Sequence, residues 1–235
     1  MFSTFDPLLE VPLHDESFGD QEFITVGWGK KETQFHGSEG KGAAIKKEEF
    51  LEQNVEEISK KVNITWRGDG EFFAISFVGI NGRMFKVFDK EGLLQFTSEK
   101  CSILEAPFAW RVAGLWIAVP QVYPQKYVIT LFEKNGLRHQ ELILPFKKED
   151  ESVRRLSWNS DSEILLIESE KMVEGQKKIA LYFYTICNYH WYLKQYMSFD
   201  SNVNYEWSQN YLEPKILHVF SDNGNYISYK SVNKI

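Results

Sequence analysis

Cysteine is scarce in this 235-residue sequence: there are two, Cys101 and Cys187, far apart. Their separation fits no zinc or dithiol redox spacing, so neither a metal nor a disulfide framework is expected to build the fold. Two free thiols suit a reducing compartment such as the cytosol. Long apolar runs are missing as well. No stretch approaches the roughly 18 consecutive apolar residues of a membrane span. The opening "MFSTFDPLLEVPLHDESF" has no basic start followed by an apolar run, so it does not read as a secretory signal. Excess positive charge is also lacking, with 27 basic against 33 acidic side chains and a net charge of -6. Phosphate contacts need clustered positive charge, so nucleic-acid binding by the whole surface is not expected. These absences lead to an expectation of a cytoplasmic protein, with the nucleus also open, and no membrane contact.

Aromatic residues are plentiful, at 15%, with 18 Phe, 11 Tyr and 7 Trp. Such side chains pack well on a pleated, half-buried sheet surface. Four of the tryptophans recur in one context. Trp66, Trp110, Trp158 and Trp207 each end a short strand-like run, and each is followed by a polar turn and then a hydrophobic run. The intervals are 44, 48 and 49 residues, and propeller blades repeat at about 40–50 residues. Within each repeat, apolar runs are separated by turn signals such as Asn81-Gly82 and Asn135-Gly136. Asn-Gly supplies the positive φ angles of a tight hairpin turn. The expectation is an all-β protein, a partial WD-type β-propeller. About three complete four-stranded blades span 62–99, 106–145 and 153–200, and an incomplete one spans 203–235. Residues 1–61 are expected to hold a remnant of a preceding blade around Trp28, followed by a charged segment. Within it, residues 46–61 fit either a short amphipathic helix or a solvated linker, with Leu51, Val55 and Ile58 at helical spacing. The ends do not read as whole blades, so a fragment or short form of a longer propeller is expected.

The tripeptide Arg67-Gly68-Asp69 spells a cell-adhesion signal, but it occupies the same slot as Arg111-Val112-Ala113 and Asn159-Ser160-Asp161. That slot is the turn between the first and second strands of a blade, where polar residues and glycine tolerate turn geometry. A search for chemistry finds little. "HGSEGKG", residues 36–42, has the wrong glycine spacing for a phosphate loop. His14, His36, His139, His190 and His218 pair with nothing at metal-ligand spacing, and no nucleophile elbow is present. Glu149-Asp150 reads as solvated loop charge. The basic doublets Lys30-Lys31, Lys60-Lys61, Lys147-Lys148 and Arg154-Arg155 each have acidic neighbours. No catalytic, cofactor-binding or metal-binding residue is therefore assigned, and the protein is expected not to be an enzyme.

Several stretches are longer than any motif: "FITVGWGKKETQFHGSEGK", "WRGDGEFFAIS", "LFEKNGLRHQELILPF", "LSWNSDSEILLI" and "NYHWYLKQ". Together, in this order, they resemble the N-terminal WD-type propeller region of the IKAP family, the largest, scaffold subunit of the Elongator complex. The resemblance implies a non-catalytic scaffold that supports modification of tRNA wobble uridine at carbon 5 with carboxymethyl-derived groups. It implies that the chemistry resides in a partner subunit, a radical-SAM acetyltransferase. It further implies contact with tRNA only indirectly, and dimerisation through a C-terminal region that this sequence does not include. The rival reading is a stand-alone β-propeller interaction module with unrelated partners.

Overall fold

The computed structural model describes residues 10–11, 13, 60–79, 82–99, 101, 103–200, 202–208, 216–221 and 226–229. These residues build fifteen strands in four antiparallel sheets. The first sheet contains β1 (Asn63–Trp66), β2 (Phe72–Gly79), β3 (Gly82–Asp89) and β4 (Leu94–Thr97). The second contains β5 (Ala109–Trp110), β6 (Ile117–Val122), β7 (Tyr127–Phe132) and β8 (Arg138–Ile143). The third contains β9 (Ser152–Trp158), β10 (Ile164–Val173), β11 (Gln176–Cys187) and β12 (His190–Phe199). The fourth shows three strands, β13 (Val203–Trp207), β14 (Leu217–Ser221) and β15 (Tyr226–Tyr229). Within each sheet the strands lie in chain order, so every connection is a hairpin. The described sheets do not close a ring, and the propeller is partial. No helix occurs among the described residues. The amphipathic segment expected at 46–61 lies outside them except for Lys60 and Lys61.

The sheets stack through their faces. In β6, Ile117 and Val119 join Ala74, Phe85 and Val87 of the first sheet in one core, while Ala118 turns to the opposite side. In β10, Leu165 and Ile167 pack toward the second sheet, whereas Ile164 and Leu166 pack toward the fourth. β11 divides in the same way: Ala180, Tyr182 and Tyr184 on one face, Ile179, Leu181 and Phe183 on the other. This is the period-two alternation of a strand in which both faces are covered. It explains why these runs read as continuous hydrophobic blocks in the sequence. Fully burying one such aliphatic side chain contributes about 1.5–3 kcal/mol.

Each four-stranded sheet has an irregularity between its third and fourth strands, at Val87/Phe88, Leu131/Phe132 and Phe183/Tyr184. One residue of the outer strand is left over in each case: Gln95, His139 and Lys194. A bulge sharpens the twist and disrupts the outer edge.

The hairpin turns differ in part from the sequence-based expectation. Gly82, with φ of 115°, is the first residue of β3 and pairs with Gly79, while Asn81 lies outside the described residues. Asn135 is not in the left-handed region; Gly136 alone is, with φ of 79°. Gly136 N–H donates to Glu133 O at 2.9 Å, and Asn135 Oδ1 accepts from Leu137 N–H at 3.0 Å. The loop is therefore a turn closed by one left-handed glycine, in which the Asn acts through its side chain. Asp89 to Gly92 repeats the pattern, with φ of 83° at Gly92. Tight turns with both central residues left-handed occur instead at Glu174 and Gly175, with φ of 52° and 77°, and at Asn188 and Tyr189, with φ of 49° and 65°.

A polar seam joins the second and third sheets. Tyr127, fully buried, donates its hydroxyl to Glu105 and accepts from Val153 N–H at 3.1 Å. Burial, with the Glu105 carboxylate beside it, pushes the Tyr127 phenol far above its ordinary pKa, so it stays a donor. Nearby, buried Glu151 accepts from Ser169 and from the Tyr182 hydroxyl, the latter at 3.0 Å. Tyr127→Phe strands the Val153 N–H and one Glu105 oxygen, and should cost about 1–3 kcal/mol. Urea unfolding monitored alongside amide exchange at Val153 checks this, and an unchanged midpoint would contradict it.

Candidate functional site

The four tryptophans that mark the repeat each close the first strand of a sheet. Trp110 and Trp158 are 3% and 5% exposed, and each packs onto the sheet before its own. Trp207 meets Phe183 edge to face and donates its indole N–H to Ser157 Oγ at 3.0 Å. Trp66 is 52% exposed and rests on Phe73 of its own sheet, with ring centroids 4.8 Å apart.

Immediately after the first three tryptophans the chain makes the same turn, in which the N–H groups of Arg67, Arg111 and Asn159 donate to the carbonyls of Phe72, Trp116 and Ile164. After Trp207, Ser208 N–H donates to Ile216 O across a longer connection. In the first three turns the fourth residue is left-handed: Gly70 at 73°, Gly114 at 126° and Ser162 at 63°. These turns lie along one end of the sheet stack and tie neighbouring sheets together. Gly68 N–H donates to Val112 O at 3.0 Å. Ala113 N–H donates to Ser162 Oγ at 2.6 Å, and Arg111 Nε–H donates to Ser162 O at 2.8 Å. The Ser160 hydroxyl reaches Ser208 O at 3.5 Å. Gly68 is required at this contact, because a Cβ there would lie 2.5 Å from both Val112 O and Val112 Cγ1.

Arg67-Gly68-Asp69 is thus a turn whose charges are engaged internally. Arg67 Nε and Nη2 donate to the two Asp69 oxygens at 2.8 and 2.5 Å, and Glu71 N–H also donates to Asp69. The Arg67 hydrogen bond, followed by that from Glu71, holds the Asp69 carboxyl below its ordinary pKa. Arg67 also lies over the Phe72 ring, 4.4 Å from its centroid.

The outer rim carries its own ties. Glu99 N–H donates to Gly136 O at 2.8 Å, and Gln140 Nε2 donates to Tyr189 O at 2.6 Å. His139 rests against Trp116 and faces Glu133 Oε1 at 3.1 Å. His190 opens β12 and His218 sits on β14, whereas His14 and His36 lie outside the described residues, as does the 36–42 loop. Among the described residues no three His, Cys, Asp or Glu side chains gather as a metal-binding group. Cys101 packs beside the core between the first two sheets, and Cys187 is exposed. The basic doublets are dispersed into separate contacts. Lys148 pairs with Glu105, Arg154 with Glu170 at 3.1 Å, and Arg155 lies over the Tyr205 ring. Lys30-Lys31 lies outside the described residues. What remains is a set of aligned turns on a rigid stack, an arrangement suited to presenting side chains to a partner.

A family model described as the first N-terminal beta-propeller of ELP1 matches residues 1–210. The chain belongs to this family. Its curated relatives carry the name Elongator complex protein 1. The Drosophila melanogaster relative is 48% identical over 98% of this chain, and that of Oryctolagus cuniculus is 38% identical over 97%. The Saccharomyces cerevisiae relative is 32% identical over 94% of the chain. Each match covers 18% of the relative's length, so the chain spans about a fifth of these proteins.

Sequence reasoning missed Arg111 and its aromatic surroundings. The signal was present in the aligned turns, where Ala113 stands in the slot held by Asp69 and Asp161. Gly68→Ala should force the first two turns apart and cost about 1–3 kcal/mol of stability. Chemical denaturation measures this, with faster amide exchange expected at residue 68. Wild-type stability and exchange would contradict the close approach.

Proposed function

We propose that this propeller is a non-catalytic, partner-binding part of the Elongator complex. On this reading it supports modification of tRNA wobble uridine at carbon 5, touches tRNA only indirectly and acts in the cytoplasm. The carrying observation is the family match over residues 1–210, with relatives named for that complex. The aligned turns, whose backbone groups are used in holding sheet to sheet, support a scaffolding role over a reactive one. Partners on this reading are other subunits of the complex, among them the radical-SAM acetyltransferase that carries out the chemistry. The rival is a propeller serving unrelated partners, and its loss would leave wobble uridine unchanged.

The test combines two measurements. The tagged 235-residue chain is used to capture each purified Elongator subunit. In parallel, tRNA nucleosides are quantified by mass spectrometry from cells lacking every product that carries residues 62–207. Capture of at least one subunit, with a fall in carboxymethyl-derived wobble uridine, is expected. No subunit captured and unchanged nucleosides would overturn the proposal.

A further inference from the structure

The three fully described first turns invite comparison, because one of them departs from a shared charge arrangement. In the first turn, Arg67 is neutralised by Asp69 through two hydrogen bonds. In the third, Asn159 Nδ2 donates to Asp161 Oδ1 at 2.5 Å, and Glu163 N–H donates to the same oxygen. In both, the third residue of the turn is an aspartate that satisfies the first. In the second turn that position is Ala113, and the turn has no carboxylate of its own.

Arg111 is nevertheless held firmly. Its guanidinium lies 4.8 Å from the centroid of Trp116 and 5.5 Å from that of Trp158, between two indoles. Nε is fixed by Ser162 O at 2.8 Å. Among the described residues Arg111 stands in no ion pair, and its two terminal nitrogens carry no protein hydrogen bond. Glu163 and Asp161 act on it only at longer range, while burial disfavours its charge. A half-buried, oriented guanidinium with one edge open matches the forked geometry of a carboxylate. Gly114 follows in the left-handed region, with φ of 126°. Flanking it in the same turn, Val112 and Leu115 are 36% and 45% exposed.

We infer that Arg111, clamped between Trp116 and Trp158, is the receptor for a carboxylate side chain on an extended peptide segment of a protein partner. Val112 and Leu115 take the apolar residues that flank the acid. The partner supplies in trans the carboxylate that Asp69 supplies in cis one sheet earlier. The inference rests on the reading of this propeller as a partner-binding module, and names the chemistry of its ligand.

The test uses the full 235-residue chain and fluorescein-labelled nine-residue peptides with a central Leu-Glu-Leu or Leu-Gln-Leu, read by fluorescence anisotropy. The glutamate peptide is expected to bind about tenfold more tightly than the glutamine peptide, with the difference shrinking as salt rises. Arg111→Gln removes the preference, but it also removes a tie between sheets. Ala113→Asp is the second variant: it gives the turn the internal partner found in the neighbouring sheets, and should abolish the preference with thermal stability retained or raised. Equal binding of the two peptides, binding of neither, or a preference that survives Ala113→Asp would each overturn the inference. Subunit capture that Ala113→Asp leaves undiminished, with no glutamate preference, overturns this inference and leaves the proposed function standing. Glutamate-selective binding with no subunit captured and wobble uridine unchanged supports the inference and overturns the proposed function instead.

Discussion

A four-stranded sheet with two apolar faces cannot bury either face by itself, and this constraint organises the whole chain. Every sheet must lend one face to the sheet before it and the other to the sheet after it. β10 and β11 show the rule most plainly, with alternate residues committed to two separate cores. Trp66 aside, half exposed on its own sheet, the indole that closes each first strand is the corner of this arrangement. It fills the gap where the short inner strand meets the preceding sheet, and it fixes where the next turn begins. From there the turn reaches the neighbouring turn through backbone groups, so a packing requirement becomes a regular row of loops.

Much of this was legible in the sequence, for a physical reason. A packing corner that must be large, flat and apolar selects tryptophan, and tryptophan is rare enough for its spacing to be seen. The left-handed turn position selects glycine in the first two sheets, which marks the loops at Gly70 and Gly114. Other features were hidden because they depend on geometry beyond the local pattern. Ser162 takes the left-handed place that glycine takes elsewhere, and its hydroxyl and carbonyl hold the turn before it. Composition alone does not single out that serine. The Asn-Gly signal located a hairpin between β7 and β8, yet the conformation there came from Gly136 alone. Turns with two left-handed residues arose at Glu174-Gly175 and at Asn188-Tyr189, where the Tyr189 carbonyl accepts from Gln140. Tertiary contact there overrides the local preference for glycine.

The charged side chains divide along the same lines. Those on strand faces and outer edges are used in pairs, as with Arg154 and Glu170 or Lys177 and Glu170. Those in the inner turns are used to satisfy the turn itself, and Arg111 is the exception because Ala113 cannot answer it. Repetition makes such an exception readable: the same backbone, with one partner deleted, isolates what that partner does. Relatives of the chain are named as a subunit of the Elongator complex, and the row of turns is the surface that the proposed function would use.

The central claim is that the tryptophans act as corners between successive sheets and not as isolated core residues. Its most direct test is equilibrium unfolding of Trp66→Ala, Trp110→Ala and Trp158→Ala, each alone. Trp110→Ala and Trp158→Ala should each lose about 3–5 kcal/mol. Trp66→Ala, whose indole is half exposed, should lose clearly less. Equal losses at all three positions, or a small loss at Trp158, would contradict the account.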